Sequence, residues 1–144
     1  MSGCFFETRC SVSYVASRCP FLSRLCFQIQ RDTGLWYSVE YSSFSLGPEA
    51  DKYRLSVSGF SGDEGDALAA QPSARRIVNG MQFSTPDQKN DNKPSGQCSR
   101  TKGWWFNYCS RSTLTFNTEN AVWNAYTTGL INDVISARML VKLD

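Results

Sequence analysis

Residues 79–109 of the 144-residue chain read NGMQFSTPDQKNDNKPSGQCSRTKGWWFNYC. In residues 87–92 the oxygen-bearing side chains stand two residues apart, so a tight loop turns alternate ones toward one hard cation such as calcium. Downstream, Cys98 and Cys109 bracket a Gly-Trp-Trp motif, and such aromatics commonly fill the centre of a small loop. The stretch therefore predicts a compact loop region with a candidate cation site.

Together, NGMQFST, the Asp-rich loop, the Cys pair and GWWFNYC resemble the fibrinogen-related domain, which is shared by fibrinogen chains, ficolins, tachylectins, angiopoietins and tenascins. The resemblance continues upstream through VEYSSFSLGPEADKYRLSVSGFSGDEGDAL, residues 39–68, and downstream through Val122, Trp123 and SARMLVKLD. It implies an α+β fold of the fibrinogen C-terminal type, with a small antiparallel sheet, short helices and a long loop-rich C-terminal subdomain. That subdomain would be stapled by a Cys98–Cys109 disulfide.

The resemblance divides the chain into a leader, residues 1–25, and a partial fibrinogen-related domain, residues 26–144. Within the domain we expect a strand region over residues 26–80 and the loop-rich subdomain over residues 81–144. The family's upstream subdomain, with its own disulfide and GGW-type strand, is not found. The leader is interpreted as a mis-predicted or spliced exon, a divergent piece of that subdomain, or a real Cys-rich tail, and we favour the first. The pairing of its cysteines stays open: Cys4, Cys10, Cys19 and Cys26.

Composition and charge set limits on function. Hydrophobic residues make up 41% and aromatic residues 13% of the chain, which argues against disorder, and no apolar run is long enough for a membrane helix. The net charge of +2 comes entirely from residues 1–24, so nucleic-acid binding is not expected. Glu7, Arg9 and Arg18 interrupt the leader, which does not read as a signal peptide, so an extracellular, secreted location is inferred from the resemblance alone.

Alternating apolar and polar residues predict antiparallel strands around residues 37–41 and 53–57, paired as a meander, and a closing strand over residues 139–143. A short helical turn is expected near residues 67–70, because Pro72 blocks its continuation. Residues 128–136 fit a helix and a strand equally well.

The resemblance also assigns positions within the Asp-rich loop. Against the family's Asp-x-Asp-x-Asp pattern, Asp87 is the first position, Lys89 replaces a ligand, and Asp91 keeps the remaining side-chain ligand. Backbone carbonyls of Lys93 and Ser95 would complete the site. Calcium is therefore the expected cofactor, bound by a reduced ligand set. The alternative is a solvated Asx-rich turn held by the disulfide.

In ficolin-like and tachylectin-like members an acetyl-binding pocket lies beside this disulfide and uses a histidine. The chain has no histidine, and Ser110 occupies that position. The candidate pocket walls are Tyr108, Phe106 and Tyr126, whereas Trp104 and Trp105 are expected in the core.

Three functions follow from these expectations. The first is an extracellular lectin-like recognition module of innate immunity that binds acetylated carbohydrates or microbial surfaces. The second is a protein-binding module that binds a receptor or matrix protein through Phe106 and three basic residues, Arg100, Lys102 and Arg111. The third is a truncated copy without activity. An enzyme is not expected, because the chain has no histidine, Gly-rich phosphate loop or nucleophile elbow.

Overall fold

The computed structural model describes residues 23–110, 112–115, 121–123 and 134–142. Four long strands form one antiparallel sheet in the order β3-β2-β1-β6, and two short strands form a separate ladder. The strands are β1 (Ser23–Arg31), β2 (Trp36–Leu46), β3 (Leu55–Gly62), β4 (Ser112–Thr113), β5 (Val122–Trp123) and β6 (Val134–Lys142).

The predicted meander is confirmed: β2 pairs with β3 in an antiparallel register that runs from Val39 opposite Gly62 to Leu46 opposite Leu55. The central strand β1 was missed, and it pairs with β2 on one side and β6 on the other. Strand β6 begins at Val134, so the ambiguous residues 134–136 are extended, whereas residues 128–133 lie outside the described residues.

The expected short helices are reduced to two 3₁₀ turns among the described residues, Glu49–Asp51 and Ala74–Arg76. The helical turn expected at residues 67–70 is a hydrogen-bonded turn instead. Asp66 stabilises this turn, because its Oδ1 accepts the N–H groups of Leu68 and Ala69 at 3.1 and 2.8 Å. The described part of the fold is therefore a sheet with long loops. None of its helices is long and apolar enough to cross a membrane.

The core lies between one face of the sheet and the loop region. Phe27 of β1 contacts Tyr41 of β2, with ring centroids 6.5 Å apart, and Trp123 of β5, at 4.9 Å. Arg31 fixes the same junction, because its guanidinium donates to Glu64 at 3.0 Å and to the carbonyl of Trp123 at 3.1 Å. The loops that follow β3 thus pack against one face of the sheet.

Cys26 is fully buried and disulfide-bonded, and the two other described cysteines, Cys98 and Cys109, bond to each other. The remaining cysteines lie outside the described residues, so the pairing in the leader stays open. Burial of Cys26 between the apolar residues Leu25 and Phe27 means that this part of β1 is covered on both faces.

Candidate functional site

The Asp-rich loop is organised around the carboxylate of Asp91, whose side chain is completely buried. One carboxylate oxygen accepts the N–H of Lys93 and the other accepts the N–H of Cys98, both at 2.9 Å. The Lys89 ammonium donates to the Asp91 carbonyl at 2.9 Å and lies 3.2 Å from the first carboxylate oxygen. Asp91 therefore connects the loop to Cys98, the first cysteine of the disulfide.

Neighbouring amides attach this loop to the core. Asn90 donates through its backbone N–H to the hydroxyl of Ser84 at 3.0 Å and through Nδ2 to the carbonyl of Phe83 at 2.6 Å. Asn92 donates its N–H to the carbonyl of Asn107 at 2.8 Å, and their side-chain amides also bond at 2.9 Å. The loop is thereby held against the segment that carries the tryptophans.

The two carboxylates expected to bind calcium lie in different environments. Asp87 is exposed, and a hydrogen bond from Thr85 lowers the pKa of its carboxyl. Asp91 is buried, its carboxylate oxygens accept N–H groups, and the Lys89 ammonium lies beside them. Ser95 is exposed. The described residues contain no group of three or more His, Cys, Asp or Glu side chains placed to hold a metal ion. In this arrangement the residues do not fit a calcium ion, which needs six to eight oxygen ligands.

The disulfide loop carries the tryptophans into the core. The Cys98–Cys109 bridge expected from the resemblance is present, with the two Cα atoms 5.0 Å apart. Trp104 and Trp105 are buried as expected, and Trp105 donates its indole N–H to the carbonyl of Tyr53 at 2.8 Å. Phe106 is only 3% exposed, so it packs in the core and offers almost no surface to a ligand.

Among the described candidate pocket residues, Tyr108 is the most exposed, with 38% of its area accessible. The Arg75 guanidinium lies over its ring, 5.2 Å from the centroid, and the Tyr108 N–H donates to the Arg75 carbonyl at 3.1 Å. Ser110 is half-buried and its hydroxyl donates to the Ser112 carbonyl at 3.3 Å. Tyr126 lies outside the described residues, as does Arg111.

A buried amide positions Arg75. The Nδ2 group of Asn107 donates to the carbonyls of Ala74 and Ile77, at 2.9 and 3.0 Å, and so holds the 3₁₀ turn against the disulfide loop. Sequence reasoning missed Arg75, because its partner Tyr108 stands 33 residues away and no local pattern joins them. The available signal was a basic Arg75-Arg76 pair directly after a proline-containing turn.

The architecture is shared with known proteins. The family model for the fibrinogen beta and gamma chains, C-terminal globular domain, matches residues 19–132. The chain belongs to the fibrinogen C-terminal domain family. The human fibrinogen gamma chain is 40% identical over a 108-residue alignment, and the match covers 68% of this chain and 23% of that relative. Mouse angiopoietin-related protein 6 is 40% identical over an 87-residue alignment, and the match covers 59% of this chain and 16% of that relative.

Solved structures agree on the fold. The lamprey fibrin D-dimer, in complex with the peptide Gly-His-Arg-Pro-amide, has a TM-score of 0.75 at 22% identity, covering 90% of this chain and 47% of its own. The fibrinogen-like globe domain of human ANGPTL6 has a TM-score of 0.68 at 26% identity, covering 91% and 61%. This fibrinogen-related chain spans less than a quarter of the length of the curated relatives it matches.

Proposed function

We propose that this chain is an extracellular protein-recognition module that binds an acidic protein segment through its disulfide face. The disulfide face is defined as the Cys98–Cys109 bridge with Arg75, Lys93, Arg100 and Tyr108. The observation that carries the proposal is the exposed Arg75–Tyr108 stack. Arginine and tyrosine are enriched among the residues that dominate protein–protein binding energies, since each combines a large contact area with a polar group.

Backbone hydrogen bonds link the segments around the bridge. The Arg100 N–H donates to the Cys98 carbonyl at 3.1 Å, while the N–H groups of Lys93 and Cys98 share the Asp91 carboxylate. Tyr108 precedes the second cysteine of the bridge. A partner that contacts the bridge therefore meets a preorganised surface, which reduces the entropy lost on binding.

Charge favours an acidic partner. Residues 73–110 carry six basic and two acidic side chains, a net charge of +4, whereas residues 23–72 carry four basic and seven acidic side chains, a net charge of −3. Among the described residues, Arg75, Lys93 and Arg100 take part in no ion pair. A surface with unpaired cations attracts an acidic partner and raises its rate of association.

The lectin alternative has less support. Three aromatic residues were expected to line a sugar pocket. Phe106 is buried, and Tyr126 lies outside the described residues. Tyr108 is exposed, but the Arg75 guanidinium occupies one face of its ring. Binding of acetylated sugars stays a prediction.

Fluorescence anisotropy with the oxidised full chain tests the proposal. The probe is a fluorescein-labelled peptide of alternating Glu and Tyr, with a Lys-and-Tyr peptide as its charge-reversed counterpart. We expect the acidic peptide to bind and Arg75→Ala to weaken it about five- to tenfold, which corresponds to roughly 1 kcal/mol. The matched control is Arg24→Ala, which removes the same charge from an exposed residue of β1 paired with Glu40.

Two further probes separate the alternatives. Gly-His-Arg-Pro-amide, the peptide bound in the lamprey structure, is basic, and we expect it to bind more weakly than the acidic peptide. Equal affinity for the acidic and basic peptides, or equal losses in Arg75→Ala and Arg24→Ala, would overturn the proposal. Retention on an acetylated-sugar resin that Arg75→Ala leaves unchanged, without peptide binding, would support the lectin function instead.

A further inference from the structure

The Asp91 carboxylate presents a physical problem that the loop must solve. Its side chain has no exposed surface, and an ionised carboxylate is costly to bury unless charge and hydrogen bonds compensate it. Two backbone N–H groups satisfy the hydrogen bonds, one on each oxygen. They carry no net charge, so a nearby cation adds a stabilisation that these two hydrogen bonds do not supply.

Lys89 supplies that cation. Its ammonium lies 3.2 Å from a carboxylate oxygen and 2.9 Å from the backbone carbonyl of the same aspartate. One positive charge thus bridges a side-chain and a main-chain oxygen, as a bound metal ion bridges the oxygens of its loop. The Lys89 side chain is 37% exposed, so the ammonium enters from the rim of the loop.

We propose that Lys89 is a built-in counter-cation that replaces calcium in the loop of residues 87–98. The loop then folds around its own ammonium, and the adjoining disulfide face is assembled whether or not calcium is present. Calcium binding would require displacement of the ammonium, because two cations at these distances from the same oxygens repel each other. The inference concerns folding of the loop, and it stands or falls independently of the partner proposed above.

Replacement of the ammonium by a carboxylate gives the most direct test. We expect the thermal midpoint of the oxidised wild-type chain to change by less than about 1 °C between EDTA and millimolar calcium. Lys89→Asp should melt about 5–10 °C lower in EDTA, since it leaves two carboxylates together. Calcium should restore most of that loss, and calorimetry should show a new site with micromolar-to-millimolar affinity. The same titration with magnesium measures the ion selectivity of the new site.

The matched control is Lys93→Asp, which makes the same exchange four residues further along the loop, at a side chain without an ion pair among the described residues. Its melting temperature should fall less than that of Lys89→Asp, and calcium should recover a smaller part of the fall. Lys89→Ala provides a second route if Lys89→Asp does not fold, and it should melt below the wild type while Lys89→Arg stays close to it. Calcium stabilisation of the wild type, or a Lys89→Ala variant as stable as the wild type, would overturn the proposal.

Discussion

At the scale of single residues, a buried tyrosine–aspartate pair joins the sheet to the first loop. The hydroxyl of Tyr41 in β2 donates to Asp66 Oδ1 at 2.6 Å, and that oxygen also accepts the N–H groups of Leu68 and Ala69. Tyr41 is fully buried and Asp66 is 8% exposed. The pair therefore holds the turn of residues 67–69 in the core. This turn precedes the 3₁₀ turn that carries Arg75.

Tyr41→Phe should lower the free energy of unfolding by about 1.5–3 kcal/mol, because a buried carboxylate loses one hydrogen-bond donor. Urea unfolding followed by tryptophan fluorescence measures this loss. Tyr37→Phe is the control, since Tyr37 lies on the same strand, is half-buried, and its hydroxyl makes no hydrogen bond among the described residues. A loss in Tyr41→Phe no larger than in Tyr37→Phe would contradict this account.

The same pair gives the protein a dependence on alkaline pH. Burial, followed by the hydrogen bond and charge of Asp66, raises the pKa of Tyr41 well above its ordinary value. A phenol whose pKa is raised on folding contributes stability that is complete below its unfolded pKa, about 10, and is lost as the pH rises further. Chemical denaturation at pH 9 and pH 11 should show a fall in stability that Tyr41→Phe reduces. An identical fall in Tyr41→Phe would assign the effect to other groups.

At the scale of elements, sequence patterns identified the meander of β2 and β3 and missed β1 and the start of β6. Strand β2 was predictable because it alternates up to Tyr41, although its buried positions shift by one residue before Phe44 and Leu46. Strand β1 was missed because the expected domain boundary at residue 26 falls inside it, although Leu25, Phe27 and Ile29 alternate with mostly polar residues. Cys26 is the exception, since it is buried on the opposite face. In β6 the adjacent apolar pair Val134-Ile135 mimics a helical stripe, although Val134 is buried and Ile135 exposed.

The residues of the candidate site were likewise predictable only in part. Its disulfide and buried tryptophans were predictable from local motifs. The Arg75–Tyr108 stack was not, because contacts between segments so far apart depend on the folded path of the chain. The role of Lys89 was half predictable. Its position in the pattern indicates that a family ligand is replaced, but the placement of the ammonium against Asp91 depends on how the loop folds.

The disulfide loop should behave as a local stability unit. Cys98→Ser with Cys109→Ser removes the bridge and should cost about 3 kcal/mol in the chain-entropy model, since the bridge closes a loop with a sequence separation of 11. Hydrogen exchange should show the largest loss of protection in residues 91–110, and little change in β1 and β2 under native conditions. The wild type labelled at matched overall stability, adjusted with denaturant, is the control. Equal loss of protection throughout the sheet would show that the bridge supports the whole fold.

At the scale of the whole molecule, charge is separated between the two regions. Residues 23–72 carry a net −3 and residues 73–110 a net +4. The two regions pack through one core, and the backbone links them again where Leu55 donates its N–H to Met81 and Phe83 donates to Lys52. Opposite net charges held this close attract each other. Their attraction adds to stability beyond what individual ion pairs contribute, and mobile ions screen it.

The melting temperature should therefore fall by a few degrees as sodium chloride rises from about 20 mM to about 300 mM, where the screening length shortens from roughly 20 Å to below 10 Å. The double variant Arg75→Glu with Arg76→Glu changes the net charge of residues 73–110 from +4 to zero, so its melting temperature should depend less on salt. Arg24→Glu with Arg54→Glu is the counterpart, since it makes residues 23–72 more acidic and should preserve or increase the dependence. A wild-type melting temperature that rises with salt over this range would show that repulsion within each region outweighs attraction between them. In that case the cations of the disulfide face destabilise the fold, and their function has to lie in binding.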